Sequence, residues 1–210
     1  MGSNLSNRYL EIKSRHKINN EDFKPFIIDQ VFTEQELSDL YEMIDKSKES
    51  DTKVMKPWGQ RLWLTRLPES VLKRLTEVSK AHISEDLEIF EATFARYSLS
   101  NGPTVKLHPH HDSARPSETV VLDIQINNSG EEWGIVIEGE KYYLKNNQGI
   151  VFYSTQQVHW REKKKFVIGE EVDMIFANFT FNPPKQFQPE WQEAMRLRAL
   201  TLQEEMKYLS

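Results

Sequence analysis

Cysteine is absent from this chain of 210 residues. Its absence excludes disulfide bonds, cysteine-ligated zinc, iron–sulfur clusters and a cysteine nucleophile. Glycine-rich phosphate-binding motifs are missing as well, and so is the G-x-S-x-G nucleophile elbow of many hydrolases. No apolar run approaches the length of about 18 residues that a membrane-spanning helix needs, so no membrane partner is expected.

Positive charge is not concentrated anywhere in the sequence. The formal net charge is -5, and the one basic run, Lys163–Lys165, is too short to indicate a nucleic-acid partner. Apolar residues make up 38% and charged residues 28% of the chain, which is typical of a soluble globular domain. The first residues lack the apolar segment of a secretory signal, so a cytoplasmic protein is expected.

The first ninety residues carry helical patterns and are expected to form a helical flank, 1–90, on a single domain. Thr33 and Glu36 have the spacing of a capping box, and an apolar stripe follows them. Pro68 opens a second helical pattern at roughly 69–82. The charged segment 45–60 is expected to be a loop, and the alternating residues that follow it predict a short strand.

From residue 91 the pattern changes to short β-rich runs separated by turn residues. Their spacing predicts a β-sandwich, jelly roll or barrel, and we place this core at 91–182. Helical patterning returns in 183–210, where Trp191, Met195 and Leu202 form an apolar stripe. This C-terminal helix is expected either to pack on the core or to form a homodimer.

The most informative segment for chemistry is Leu107–Asp112, which contains an H-x-D motif. Residues two apart in a strand face the same side, so His110 and Asp112 are expected to project together and His111 away from them. A third ligand has to come from another strand, and His159 is the remaining histidine of the β-rich region. The sequence therefore predicts a metal site formed by His110, Asp112 and His159.

Two histidines and one carboxylate on one face of a metal leave its opposite face open. This arrangement is typical of non-haem Fe(II) oxygenases, although zinc also binds such ligands. An H-x-D pattern is short enough to recur by chance, and the histidine cluster could be a solvated turn. The distant histidine, placed within a run of candidate strands, favours the metal.

Several motifs in one order resemble the Fe(II)/2-oxoglutarate-dependent dioxygenase superfamily, near its prolyl 4-hydroxylase-like branch. They are Arg96-Tyr97, His110-His111-Asp112, the apolar strand Val120–Asn127, the segment Gly149–Ser154, and His159. The resemblance covers roughly 91–182. It implies a mainly β fold with flanking helices, whose core is a double-stranded β-helix, a distorted jelly roll like that of the cupins.

The resemblance also implies an activity. Fe(II) and the cosubstrate 2-oxoglutarate would support hydroxylation of a C–H bond in a peptidyl residue, amino acid or small metabolite. Succinate and CO2 would be the coproducts. Because Asp112 is intact, hydroxylation is favoured over the halogenation carried out by relatives that lack this carboxylate.

Two residues are expected to hold the cosubstrate. The resemblance implies that the Tyr97 hydroxyl donates to it. The basic residue that the family places after the distal histidine is missing, because the corresponding segment is Gly169–Val172. Arg161, on the same strand face as His159, is the best replacement, since its planar fork matches a carboxylate. Lys163 would continue that face, and Lys106 is a weaker candidate.

The missing basic residue leaves two other functions open. One is a cupin-like metal-binding module without turnover, and the other is a scaffold whose C-terminal helix makes the interactions. Two further polar residues are candidates for the surroundings of the site. His108 is in line with His110, and Asn178 is compatible with an inward position on the last strand.

Overall fold

The computed structural model describes residues 23–102, 104–112 and 119–181. Its two α-helices are α1 (Glu34–Lys46) and α2 (Glu69–His82). Its strands are β1 (Phe26–Ile28), β2 (Thr52–Met55), β3 (Gln60–Trp63), β4 (Leu87–Ser98), β5 (Thr104–His110), β6 (Val120–Asn128), β7 (Ile135–Ile137), β8 (Glu140–Tyr142), β9 (Gln148–Tyr153), β10 (His159–Lys165) and β11 (Glu171–Phe181).

The strands form two antiparallel sheets. The larger has seven strands in the order β1-β9-β6-β11-β4-β3-β2, and the smaller has four in the order β5-β10-β7-β8. Because most sequence neighbours lie in different sheets or are separated by other strands, the chain winds between the two sheets as in a jelly roll. The predicted fold, a double-stranded β-helix with flanking helices, is confirmed.

Both helices begin where the sequence predicts. The Thr33 hydroxyl accepts from the Glu36 amide at 3.3 Å, and the Glu36 carboxylate accepts from the Thr33 amide at 2.7 Å. This reciprocal pair completes the capping box of α1. The buried residues Leu40 of α1 and Leu75 of α2 belong to the same core cluster, so both helices cover the outer face of the larger sheet.

A second apolar layer lies between the sheets. Tyr97, Val172 and Met174 of the larger sheet pack there in one cluster with Val105 of β5. Further along the interior, Phe152 of β9 packs in another cluster with apolar residues of β7. The interior between the sheets is therefore lined by alternate residues of each strand, and this interior receives the side chains of the candidate site.

The segment 45–60, predicted as a loop, contains strand β2. It pairs with β3 as a hairpin, with Thr52 opposite Trp63 and Met55 opposite Gln60. The prediction was wrong because β2 lies at the sheet edge and is half-buried or exposed throughout, so it lacks the apolar alternation of a covered strand. Residues Leu87–Phe90, at the end of the predicted helical flank, form the start of β4.

These strands change the description of the N-terminal part. The predicted helical flank, 1–90, also contributes β1, β2, β3 and the start of β4 to the larger sheet. The boundary at residue 91 between this flank and the β-rich core stays a prediction. The predicted C-terminal helix, 183–210, and the homodimer built on it lie outside the described residues. Within the described residues, neither helix has the length and apolar character needed to cross a membrane.

Candidate metal centre

Two strands of the smaller sheet carry the histidines of the predicted site. His110 ends β5 and His159 begins β10, and the antiparallel register places them directly opposite each other. Asp112 follows two residues after His110, and its amide donates to the Ser154 carbonyl at 2.9 Å. The ligand atoms of His110, Asp112 and His159 all lie within 4.8 Å of one another, so the structure brings together all three predicted ligands.

Hydrogen bonds hold both imidazoles in the same way. Nδ1 of His110 lies 2.7 Å from the His108 carbonyl, and Nδ1 of His159 lies 3.0 Å from the Gln157 carbonyl. A carbonyl only accepts, so Nδ1 is protonated in each ring, and in the neutral imidazole this leaves the lone pair on Nε2. This is the tautomer that metal-ligating histidines adopt when a backbone group orients them, and it fits the N2O donor set that Fe(II) takes.

The environment keeps His159 neutral. Its side chain is buried against Phe152, with ring centroids 4.8 Å apart, and lies 4.3 Å from the ring of His110. Burial, and then the neighbouring His110, lower the pKa of His159 to about 4, so the ring is neutral at neutral pH and can offer the Nε2 lone pair to a metal. The side chain of His110 is 43% exposed, which leaves the opposite side of the site accessible.

Arg161 lies deeper between the sheets on the same strand as His159. It is only 2% exposed, and its Nη1 donates to the Trp133 carbonyl at 2.9 Å. The guanidinium also lies over the Trp133 ring, 4.9 Å from its centroid. A guanidinium stays charged in proteins, so this buried cation is suited to receive a carboxylate.

Tyr97 packs against the same residue, Trp133, between the two sheets. It is fully buried, and its ring meets the edge of Trp133 at a centroid distance of 4.9 Å. Burial raises the pKa of Tyr97, the charge of Arg161 opposes this rise, and Asp123 adds to it. The phenol therefore remains protonated at neutral pH. Tyr97 and Arg161 both contact Trp133, so the structure brings these two predicted cosubstrate residues together.

The prediction that Lys163 continues the face of Arg161 was wrong. The pairing of β10 with β5 shifts register between Arg161 and Lys164, so Lys163 is exposed and Lys164 turns inward. Lys164 is held there by Glu170, at 2.7 Å. The other candidate, Lys106, lies on β5, but its side chain is outside what the structure describes. Asn178 is buried, as its inward position predicts, and donates to Glu91 at 3.4 Å.

Three residues of the site were not identified from the sequence. Gln60 donates to the Tyr97 hydroxyl at 2.7 Å, Trp133 touches both Tyr97 and Arg161, and Glu138 accepts from the amide that precedes His159. No local pattern marks Gln60, which fell in the predicted loop. Gly139 is a residue typical of turns, but no local sequence pattern predicts the contact of Glu138 with the distant segment that precedes β10.

The chain matches no protein-family model and no curated protein sequence. Its fold, however, is similar to solved structures. One is SnoN, a non-haem α-ketoglutarate-dependent epimerase from nogalamycin biosynthesis, with TM-score 0.58, 10% identity and 83% of each chain covered. HygX from Streptomyces hygroscopicus, solved with nickel and 2-oxoglutarate, has TM-score 0.54 and 11% identity, covering 86% of this chain and 88% of its own.

A prolyl 4-hydroxylase from Pseudomonas putida is also similar, with TM-score 0.55 and 11% identity over 83% of this chain and 97% of that one. At these identities the likeness establishes the fold alone. The chain has the double-stranded β-helix fold of the 2-oxoglutarate-dependent Fe(II) oxygenases, prolyl 4-hydroxylases among them. Its His-Asp-His cluster lies between the ends of two strands of that fold.

Proposed function

We propose that this protein is a 2-oxoglutarate-dependent Fe(II) oxygenase that hydroxylates a C–H bond of a peptidyl residue, amino acid or small metabolite. The observation that carries the proposal is the convergence of His110, Asp112 and His159 within 4.8 Å. Each histidine has its Nδ1 committed to a carbonyl. The three side chains would hold the metal through two Nε2 atoms and one carboxylate oxygen.

Bound iron would supply the oxidative decarboxylation of 2-oxoglutarate to succinate and CO2, coupled to hydroxylation of the substrate. The protein's own contribution is to place the cosubstrate. Arg161 and the Tyr97 hydroxyl would bind its far carboxylate, at the closed end of the pocket behind His159. Ion pairing and hydrogen bonding to a carboxylate are strongest where water is excluded, and both residues are buried.

The walls of the pocket would also exclude water from the reacting groups. Phe152 lies against His159, and Trp133 lies against Arg161. These aromatic rings would shield the cosubstrate, while the partly exposed His110 marks the side from which a substrate would enter. Shielding of this kind would suit a reaction whose intermediates must not meet water.

Spectroscopy of the full-length protein under anaerobic conditions tests the proposal. Addition of Fe(II) and then 2-oxoglutarate is expected to give a weak visible charge-transfer band that neither addition gives alone. Candidate substrates can then be screened by the succinate that they release in air. A protein that binds Fe(II) but gives no band with 2-oxoglutarate would not be an oxygenase of this kind.

The missing basic residue at Gly169–Val172 favours one second candidate, a cupin-like metal-binding module without turnover. Such a module would bind Fe(II) through the same three residues and would leave Arg161 without a ligand. The same titration separates the two functions, because the module would show metal binding with no response to 2-oxoglutarate. A scaffold without either function would bind neither metal nor cosubstrate.

A further inference from the structure

The hairpin between β7 and β8 turns through only two residues, Glu138 and Gly139. Ile137 pairs with Glu140 across the turn, and the two turn residues have φ values of 52° and 89°. Two-residue hairpins with both φ angles positive prefer Asn-Gly or Asp-Gly. Glycine adopts this backbone freely, but a long side chain such as glutamate is disfavoured in the left-handed region.

The Glu138 side chain makes a contact that the preferred turn residues would not reach. Its Oε1 accepts from the Val158 amide at 2.5 Å, and its own amide donates to the Val158 carbonyl at 2.8 Å. One residue therefore binds both backbone polar groups of Val158. Asparagine and aspartate are shorter by one methylene group, so an Asn or Asp at this position would keep the backbone bond and lose the side-chain bond.

Val158 is the residue immediately before His159, where β10 begins. The orientation of the His159 ring depends on this short segment, since its Nδ1 bonds to the Gln157 carbonyl at 3.0 Å. A shift of the backbone at 157–158 would move that carbonyl and turn the imidazole. The contact from Glu138 thus fixes the backbone segment that orients His159, a proposed metal ligand.

We propose that Glu138 is a positioning residue for His159, which keeps a disfavoured backbone conformation because its carboxylate holds Val158. The inference rests on the proposed metal centre. Disfavoured conformations that persist at non-glycine residues are found where the surrounding structure needs them. A residue kept for turn stability alone would be one that suits the left-handed region, and glutamate does not.

Glu138→Asn tests this role, because asparagine suits the left-handed backbone of the turn but is too short to bind the Val158 amide. The full-length protein and the variant are titrated with Mn(II), with free Mn(II) followed by its electron paramagnetic resonance signal, and their thermal midpoints are compared. We expect the midpoint to stay the same or rise, while the Mn(II) dissociation constant rises by about tenfold, as for other residues that orient metal-ligating histidines. Glu138→Gln, which keeps the length and an acceptor oxygen, is expected to retain most of the affinity.

Glu140→Asn is the matched control, because Glu140 is exposed on the same hairpin, next to the turn. It should leave Mn(II) binding unchanged. If Glu138→Asn binds Mn(II) as tightly as the unmodified protein, the positioning role is wrong. If the Mn(II) affinity and the thermal midpoint of Glu138→Asn fall together, Glu138 only stabilises the fold. The same conclusion follows if Glu138→Gln loses as much Mn(II) affinity as Glu138→Asn. If the unmodified protein binds no Mn(II), the proposed metal centre fails first and the inference falls with it.

Discussion

The side-chain amide of Gln60 donates to the Tyr97 hydroxyl oxygen at 2.7 Å, inside the space between the two sheets. Gln60 is 6% exposed and Tyr97 is fully buried. A phenol has one proton to donate, and here its oxygen already accepts from Gln60. The proton of Tyr97 is therefore directed away from Gln60 and is free to be donated to a carboxylate bound near Arg161.

Replacing Gln60 tests whether this bond orients the phenol. In Gln60→Glu a carboxylate beside Tyr97 would accept the phenol proton, so the hydroxyl could no longer donate to the cosubstrate. We expect the dissociation constant for 2-oxoglutarate to rise by about fivefold to tenfold, corresponding to about one hydrogen bond. The constant is measured from the anaerobic charge-transfer band.

Gln60→Leu serves as the comparison, since it removes the donor without supplying a competing acceptor. Its effect on the constant is expected to be smaller than that of Gln60→Glu, and Fe(II) affinity should stay constant in both. Equal dissociation constants for 2-oxoglutarate in the unmodified protein and both Gln60 variants would show that Tyr97 does not donate its proton to the cosubstrate.

Arg161 is predicted to carry most of the cosubstrate affinity. Arg161→Lys keeps a positive charge but removes the fork that matches a carboxylate. We expect it to raise the 2-oxoglutarate constant by about tenfold to a hundredfold, the range for losing charged hydrogen bonds, with Fe(II) affinity unchanged. Isothermal titration of the Mn(II)-loaded protein measures the 2-oxoglutarate constant, and an anaerobic titration of the metal-free protein measures the Fe(II) affinity. A constant that does not move would place the carboxylate partner elsewhere, with Lys106 as the next residue to test.

Several features predicted correctly from the sequence are local, although the convergence of His159 with His110 joins residues far apart in the sequence. The Thr33–Glu36 capping box depends on residues three apart, and the shared face of His110 and Asp112 depends on the two-residue repeat of a strand. What failed depends on partners far away in sequence. Gln60 belongs to a hairpin whose edge strand β2 has no apolar alternation. The register shift that turns Lys164 rather than Lys163 inward arises only when β10 pairs with β5.

The carboxylate of Asp112 is predicted to be needed for the metal and not for the fold. Its side chain is partly exposed, so Asp112→Ala should leave the thermal midpoint within a few degrees. Because the third ligand is lost, substrate-linked succinate formation should be abolished and Fe(II) binding weakened. Succinate release and metal titration check both parts. Unchanged succinate formation would refute the assignment of Asp112 as a ligand.

Glu170 should make stability depend on pH. Burial raises the pKa of Glu170, but its hydrogen bonds with Lys164, Val167 and Glu131 outweigh this effect, and the pKa is lowered. A carboxyl whose folded-state pKa lies below its unfolded value, about 4.3, contributes stability above that value. This contribution is lost as pH falls through the folded-state pKa.

Glu170→Gln is therefore expected to lower the free energy of unfolding by about 3 kcal/mol at neutral pH, because the buried Lys164 loses its counter-charge. The gap to the unmodified protein should narrow as the pH falls below the unfolded-state pKa of about 4.3 and through the lower folded-state pKa, below which the carboxyl is protonated in both states. Urea titrations at neutral and acidic pH measure this gap, with the exposed Glu132→Gln as the control. A gap of the same size at both pH values would mean that the charge of Glu170 does not stabilise the folded protein.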